Sequence, residues 1–309
     1  MEQTDNKSVV RNVVLGTLLA VILSRFTIAS LFMTLPILLA CSRIRNTSKA
    51  MVPFGALLLV VIGWTLVENR VIIGTDLQPV LLVGLYPPVA ATIGSAVWLA
   101  SREKSSSLLR RFFWASIPVF VLGLALSLYF ASDASLPIRA ALTESIMYFF
   151  PAESIGMDIS EIAKASVDML MLFYAPLGIL VLGIPVLISD VSLHKFDEAW
   201  QVDFANMKFP DSYVWMFFAS WAFALVSNLA SLPSWLVALA WNAALSVGFL
   251  YAVVGASILV SMARRKSPAI SAGRIVFTLV LLCFIPVLNV VVLIGLPVLG
   301  VLETWVNFR

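Results

Sequence analysis

Charge is scarce in this sequence: of 309 residues only 12% are Asp, Glu, Lys or Arg, against about a quarter in a soluble globular domain. A water-soluble fold could not cover its apolar surface with so little polar material. That excludes a soluble enzyme, a disordered chain and a nucleic-acid-binding domain. Residues for metal or thiol chemistry are scarce too. His194 is the one histidine, and Cys41 and Cys283 lie far apart in apolar surroundings with no CxxC or Cys/His ligand spacing. No metal or cofactor is expected, and the cysteines read as small buried hydrophobes. HExxH, GxSxG and P-loop patterns are missing, so no catalytic residue is assigned and the chain is not read as an enzyme. Glu144 and Glu153 are a conceivable acid/base pair, but nothing fixes their geometry.

What the chain has in excess is apolar sequence: 61% of residues are hydrophobic and the mean hydropathy is +1.00. Its solvent is read as lipid. A helix needs about 20 apolar residues to cross a hydrocarbon core of about 30 Å. Candidate spans are 12–41, 51–67, 77–100, 112–131, 165–188, 213–230, 235–262 and 275–301. The expected fold is therefore all-α, a single integral membrane domain over 1–309 with about eight spans, seven to nine. The first candidate is too long for one untilted span and carries Arg25 and Pro36. It is expected to break near Arg25–Phe26–Thr27, as a retained segment with no small-residue cleavage site after its first apolar run. The last candidate, with Pro286, Asn289 and Pro297, is also open to interruption.

Lys and Arg fall unevenly between spans. Arg43, Arg45 and Lys49 crowd one loop, Arg102, Lys104, Arg110 and Arg111 a second, and Arg264, Arg265, Lys266 and Arg274 a third. The positive-inside rule places these loops in the cytoplasm, with 190–212 beside them and with 68–76, 132–164 and 231–233 outside. In the 190–212 connection, the spacing of Phe196, Trp200, Phe204 and Met207 puts aromatics on one helical face. That suits a helix lying on the membrane surface or one covering the bundle. Trp64, Trp98, Trp114, Trp215 and Trp305 sit near span ends, where interfacial anchoring is the expectation.

Two groups of residues stand out. Ala240, Ala244, Gly248, Ala252 and Ala256 place a small residue at every fourth position, and Gly16 and Ala20 begin a second such row. In lipid, close backbone approach through small residues supplies much of the helix packing. An i+4 row winds around its helix, so it touches more than one neighbour. Internal packing and docking of another subunit are both open. The second group is polar at membrane depth: Arg25, Asp76, Asp168, Asn228 and Asn242, each costly unless paired or hydrated. The expected topology puts all five in the outer half, where they either line a small polar cavity or bridge helices singly.

The C-terminal third carries a further pattern: Phe204, Phe209–Pro210 and Trp215 before a span, Gly255 in the next helix, and an ending with Gly300, Glu303, Trp305, Phe308 and Arg309. Over roughly 200–309 this resembles the YybS-like family of bacterial membrane proteins. That family is loosely similar to the substrate-binding subunits of energy-coupling-factor vitamin transporters, which dock a coupling protein through a small-xxx-small row on the first helix. Gly16 and Ala20 sit where such a row would be. The resemblance implies a bacterial inner-membrane setting and no catalytic residue.

The expected function is a membrane substrate-binding or transport component, without its own ATPase, that captures a small polar or vitamin-like solute from outside. Its expected partners are the lipid bilayer, the solute and a coupling membrane subunit with a separate ATPase. The alternative is a scaffold or assembly factor that binds protein or lipid through its small-residue helix faces and basic loops.

Overall fold

A computed structural model describes residues 2–26, 29–42, 44, 46–71, 73–75, 78, 80–102, 107–149, 159–194, 197–267, 270–306, 308 and 309. Among these, every regular element is helical. The chain runs α1 (Glu2–Leu23), α2 (Leu35–Cys41), α3 (Thr47–Glu68), α4 (Val80–Ala100), α5 (Leu108–Phe130), α6 (Leu136–Phe149), α7 (Ile159–Leu172) and α8 (Tyr174–Leu193). There follow α9 (Glu198–Ala205), α10 (Val214–Leu229), α11 (Ser234–Lys266), α12 (Ala272–Leu282) and α13 (Leu288–Leu302).

Among the described residues, six segments are long and apolar enough to cross a membrane: α3, α4, α5, α8, the segment 211–229 ending in α10, and α11. The other apolar helical stretches, Ser8–Leu23, Ala29–Cys41, Ala272–Leu282 and Leu288–Leu302, are each shorter, so six of the eight spans expected are matched by length. The long apolar run 12–41 folds as a hairpin of α1 and α2, broken where the first helix ends at Leu23. Gly16 and Ala20 serve that hairpin. A Cβ on Gly16 would press on the Pro36 carbonyl oxygen, and Ala20 is fully buried. The run 275–301 is likewise divided, at a turn where Val287 takes a left-handed φ of 72°. The 165–188 segment, expected as one span, is two helices that part at Phe173, so Asp168 lies on α7 and the span begins at Tyr174.

Small residues set the packing, as lipid-solvated helices require. Tyr86 of α4 lies edge-on to Tyr174 of α8 at 5.6 Å, and its hydroxyl donates to the Val119 carbonyl at 3.2 Å. A Cβ on Gly178 would collide with that tyrosine. Where α13 crosses α11, Gly255 and Gly300 meet backbone directly, at the Leu296 and Tyr251 carbonyls. The α11 ladder divides its work. Ala240 and Ala244 are sealed with Ala224 against α10, whereas Ala252 and Ala256 line an apolar groove between α8, α11 and the α12–α13 hairpin.

At 33 residues, α11 is about 50 Å long, well beyond a hydrocarbon core of about 30 Å. Its basic end, Arg264–Lys266, is clasped by α9 and by the C-terminal segment. Arg264 pairs with Glu198 and Gln201, and Arg265 donates to the Phe308 carbonyl at 3.1 Å. The 190–212 connection is therefore a helix packed into the bundle, with Phe204 and Met207 buried; Phe196 lies outside the described residues.

Candidate functional site

The four described members of the expected outer cluster each take a separate partner. Arg25 pairs with Glu68 at 2.7 Å and lies 4.6 Å over the Trp64 ring. Asp168 pairs with Arg139 across α6 and α7. Asn228 accepts a long hydrogen bond, 3.4 Å, from the Trp241 indole. Asn242 is fully buried. Its Oδ1 accepts from Ala175 N at 2.9 Å and from Ser127 Oγ at 3.3 Å, and its Nδ2 donates to the Ala238 carbonyl at 2.7 Å. Asn242 thus caps the start of α8 from a neighbouring helix, satisfying an amide that the helix itself leaves unpaired. Among the described residues no hydrogen bond or ion pair joins any two of these four, and Asp76 lies outside them.

Polar groups do converge at the opposite, basic end. The start of α5 brings Arg111 against the end of α8, where Asp190 lies, and α9 closes the third side. Both residues are buried, at 9% and 5% exposure. The Arg111 guanidinium stacks on Trp98 at 3.8 Å from the ring centre. Its Nη1 lies 3.9 Å from Asp190 Oδ1, and its Nη2 donates to the Trp98 carbonyl at 3.4 Å. Asp190 Oδ2 accepts the Trp200 indole N–H at 2.9 Å. His194, one turn on, stacks on Trp200 with ring centres 5.4 Å apart and donates from Nδ1 to the Asp190 carbonyl at 2.9 Å. Arg111 Nε is buried and meets no hydrogen-bond partner among the described residues.

A cleft of about 460 Å³ opens on this cluster, bounded by Arg111, Asp190, His194 and Trp200 and, from the segment after α9, by Asn206 and Lys208. Asp203 lies on its rim, and its carboxylate meets no hydrogen-bond donor among the described residues. The cleft thus gathers two cations, Arg111 and Lys208 (the latter paired with Asp211 at 3.0 Å), the carboxylates of Asp190 and Asp203, and the aromatic rings of Trp200 and Phe204. No group of three potential metal ligands occurs among the described residues.

One wall is held from behind by the C-terminus. Arg309 donates to the Ala205 and Met207 carbonyls at 2.8 and 2.6 Å and to Ser257 Oγ at 3.0 Å, while its Nε lies 3.0 Å from Glu303. Burial lowers the Arg309 guanidinium from its ordinary range, and the Glu303 charge opposes that shift. Arg309 is thus a brace on the segment that carries Asn206 and Lys208.

Sequence reasoning counted Arg111 only as a loop charge, gave His194 no role and passed over Asp190. The available signal was an aspartate in the last turn of an apolar span, ten residues before a tryptophan. Trp98 also differs from expectation: it is buried under Arg111, whereas Trp64, Trp114, Trp215 and Trp305 are exposed as anchors would be. No protein-family model matches the chain, and no curated protein or solved structure matches it.

Proposed function

We propose that the chain is a membrane component, set in the cytoplasmic membrane of a bacterium, that binds a small polar solute and has no ATPase of its own. The observation that carries this reading is the basic-end cleft. Its volume of about 460 Å³ is that of a small-molecule site, and it presents a buried arginine with a donor to spare. A purely structural arginine would be expected to have that donor satisfied, since buried polar groups nearly always find partners. The positive-inside rule puts this end in the cytoplasm, so the solute is met from that side, not captured from outside. A coupling subunit remains part of the proposal, but its docking surface is placed away from Gly16 and Ala20, which pack on α2. The scaffold reading has less support, because Ala20, Ala240 and Ala244 are sealed inside the bundle.

The test is a thermal melt of the detergent-purified chain against a panel of small polar solutes. At a concentration near a hundred times Kd, the right solute raises the midpoint by about 5 °C or more. Arg111→Lys keeps the charge but loses the Nε donor, and is expected to lose that rise relative to its own ligand-free midpoint. A panel spanning zwitterions, phosphates and carboxylates that leaves the wild-type midpoint unmoved would refute the proposal.

A further inference from the structure

The basic-end cleft adjoins a separate apolar one, with the Phe204 ring on the wall they share. On α5 the polar wall ends at Arg111 where the apolar wall begins at the next residue, Phe112. On α8 the change comes within a turn, from Asp190 to Leu187, and the apolar groove continues to Ile179. Eleven residues separate Asp190 from Ile179, about 16 Å of helix, which is close to half of a hydrocarbon core of about 30 Å. The ladder residues Ala252 and Ala256 leave this groove open where larger side chains would fill it.

Resting on the reading of the cleft as a binding site, we propose that its ligand is an amphiphile: a phospholipid of the adjacent leaflet with a zwitterionic, phosphate- and ammonium-bearing headgroup. One acyl chain runs along the groove to the bilayer centre. The headgroup sits in the cleft, its phosphate on Arg111 Nε and Lys208 and its ammonium on Asp203. Charge balance selects this class. Arg111 and Lys208, the latter also paired with Asp211 at 3.0 Å, face Asp190 and Asp203 across one cavity, so a purely anionic group would meet these carboxylates and a zwitterion meets a partner for each sign. The apolar groove, in turn, has no use for a ligand without a tail.

The experiment is native mass spectrometry and thermal melting of the full chain in detergent with three probes: a palmitoyl-oleoyl phosphatidylethanolamine, the matching phosphatidylglycerol, and water-soluble phosphoethanolamine. Wild type is expected to retain one phosphatidylethanolamine per chain in preference to phosphatidylglycerol. Ala256→Leu, which narrows the groove, is expected to weaken lipid retention about tenfold, as when about two methylenes are excluded. It should leave stabilisation by phosphoethanolamine unchanged. Leu279→Trp fills the same groove from α12 and repeats the measurement if Ala256→Leu does not fold. Arg111→Gln is expected to weaken lipid and headgroup alike. Lipid retention indifferent to both groove variants, or to the headgroup, would mean ordinary boundary lipid and overturn the proposal. Stabilisation by phosphoethanolamine without lipid binding would overturn it while leaving the solute-binding reading intact. No response to any probe would overturn the amphiphile and leave that reading to its own solute panel.

Discussion

The two ends of the bundle spend the same residue types in opposite ways. At one end Arg25 meets Glu68 and Arg139 meets Asp168 in pairs whose side chains remain 28% to 50% exposed. At the other, Arg111, Asp190, Glu303 and Arg309 are largely removed from solvent and engage indole N–H groups, backbone carbonyls and one another. Exposed pairs gain about 0–1 kcal/mol and position little, because water competes for each charge. A buried charge tolerates no such substitute: losing one partner leaves the other stranded at about 3–5 kcal/mol. The lesson is that depth in a span is a poor guide to function here. The residues singled out for lying inside apolar segments mostly have ordinary local partners, and the group that opens on a cavity is at a span end.

The contrast is sharpest for Asp190→Ala, which leaves Arg111 buried without its carboxylate. A loss of about 3–5 kcal/mol in chemical denaturation is expected, enough to unfold a marginal protein. A loss below about 1 kcal/mol would mean that water already reaches the guanidinium, as at the other end. Arg309→Ala comes next. It removes charged donors from two backbone carbonyls and is expected to cost about 2–3 kcal/mol, with faster proteolysis in 198–210 as the local readout. The smallest effects belong to Arg25→Gln and Asp168→Asn, each within about 1 kcal/mol in the same denaturation measurement. A large loss from either would erase the distinction between the ends.

The fold was legible from the sequence where periodic apolar length decides it. Composition alone places the chain among helical membrane proteins, and the break near Arg25 follows from a run too long for one span. The division at Phe173 was missed because 165–188 reads as one apolar run, although Pro176, in the first turn of α8, is a helix-start signal. Asn242 was read as a polar residue at membrane depth that needs a partner, yet its role as a cap for α8 depends on which helix end lies beside it, and spacing along one helix does not carry that. The basic-end site was hidden for a related reason. Arg111 is far in sequence from Asp190 and Trp200 and meets them only because α5, α8 and α9 converge, and the charges that give the site its chemistry resemble those that merely set orientation.

The most direct test of the account compares the two ends in one assay: the ligand-dependent melt of Asp203→Asn and of Asp168→Asn, using whichever solute stabilises wild type most. Both carboxylates are partly exposed, so neither change should unfold the chain. Asp203→Asn is predicted to lose most of the ligand-induced rise and Asp168→Asn to keep all of it. The reverse result would put the binding site back in the outer half of the bundle and contradict the account.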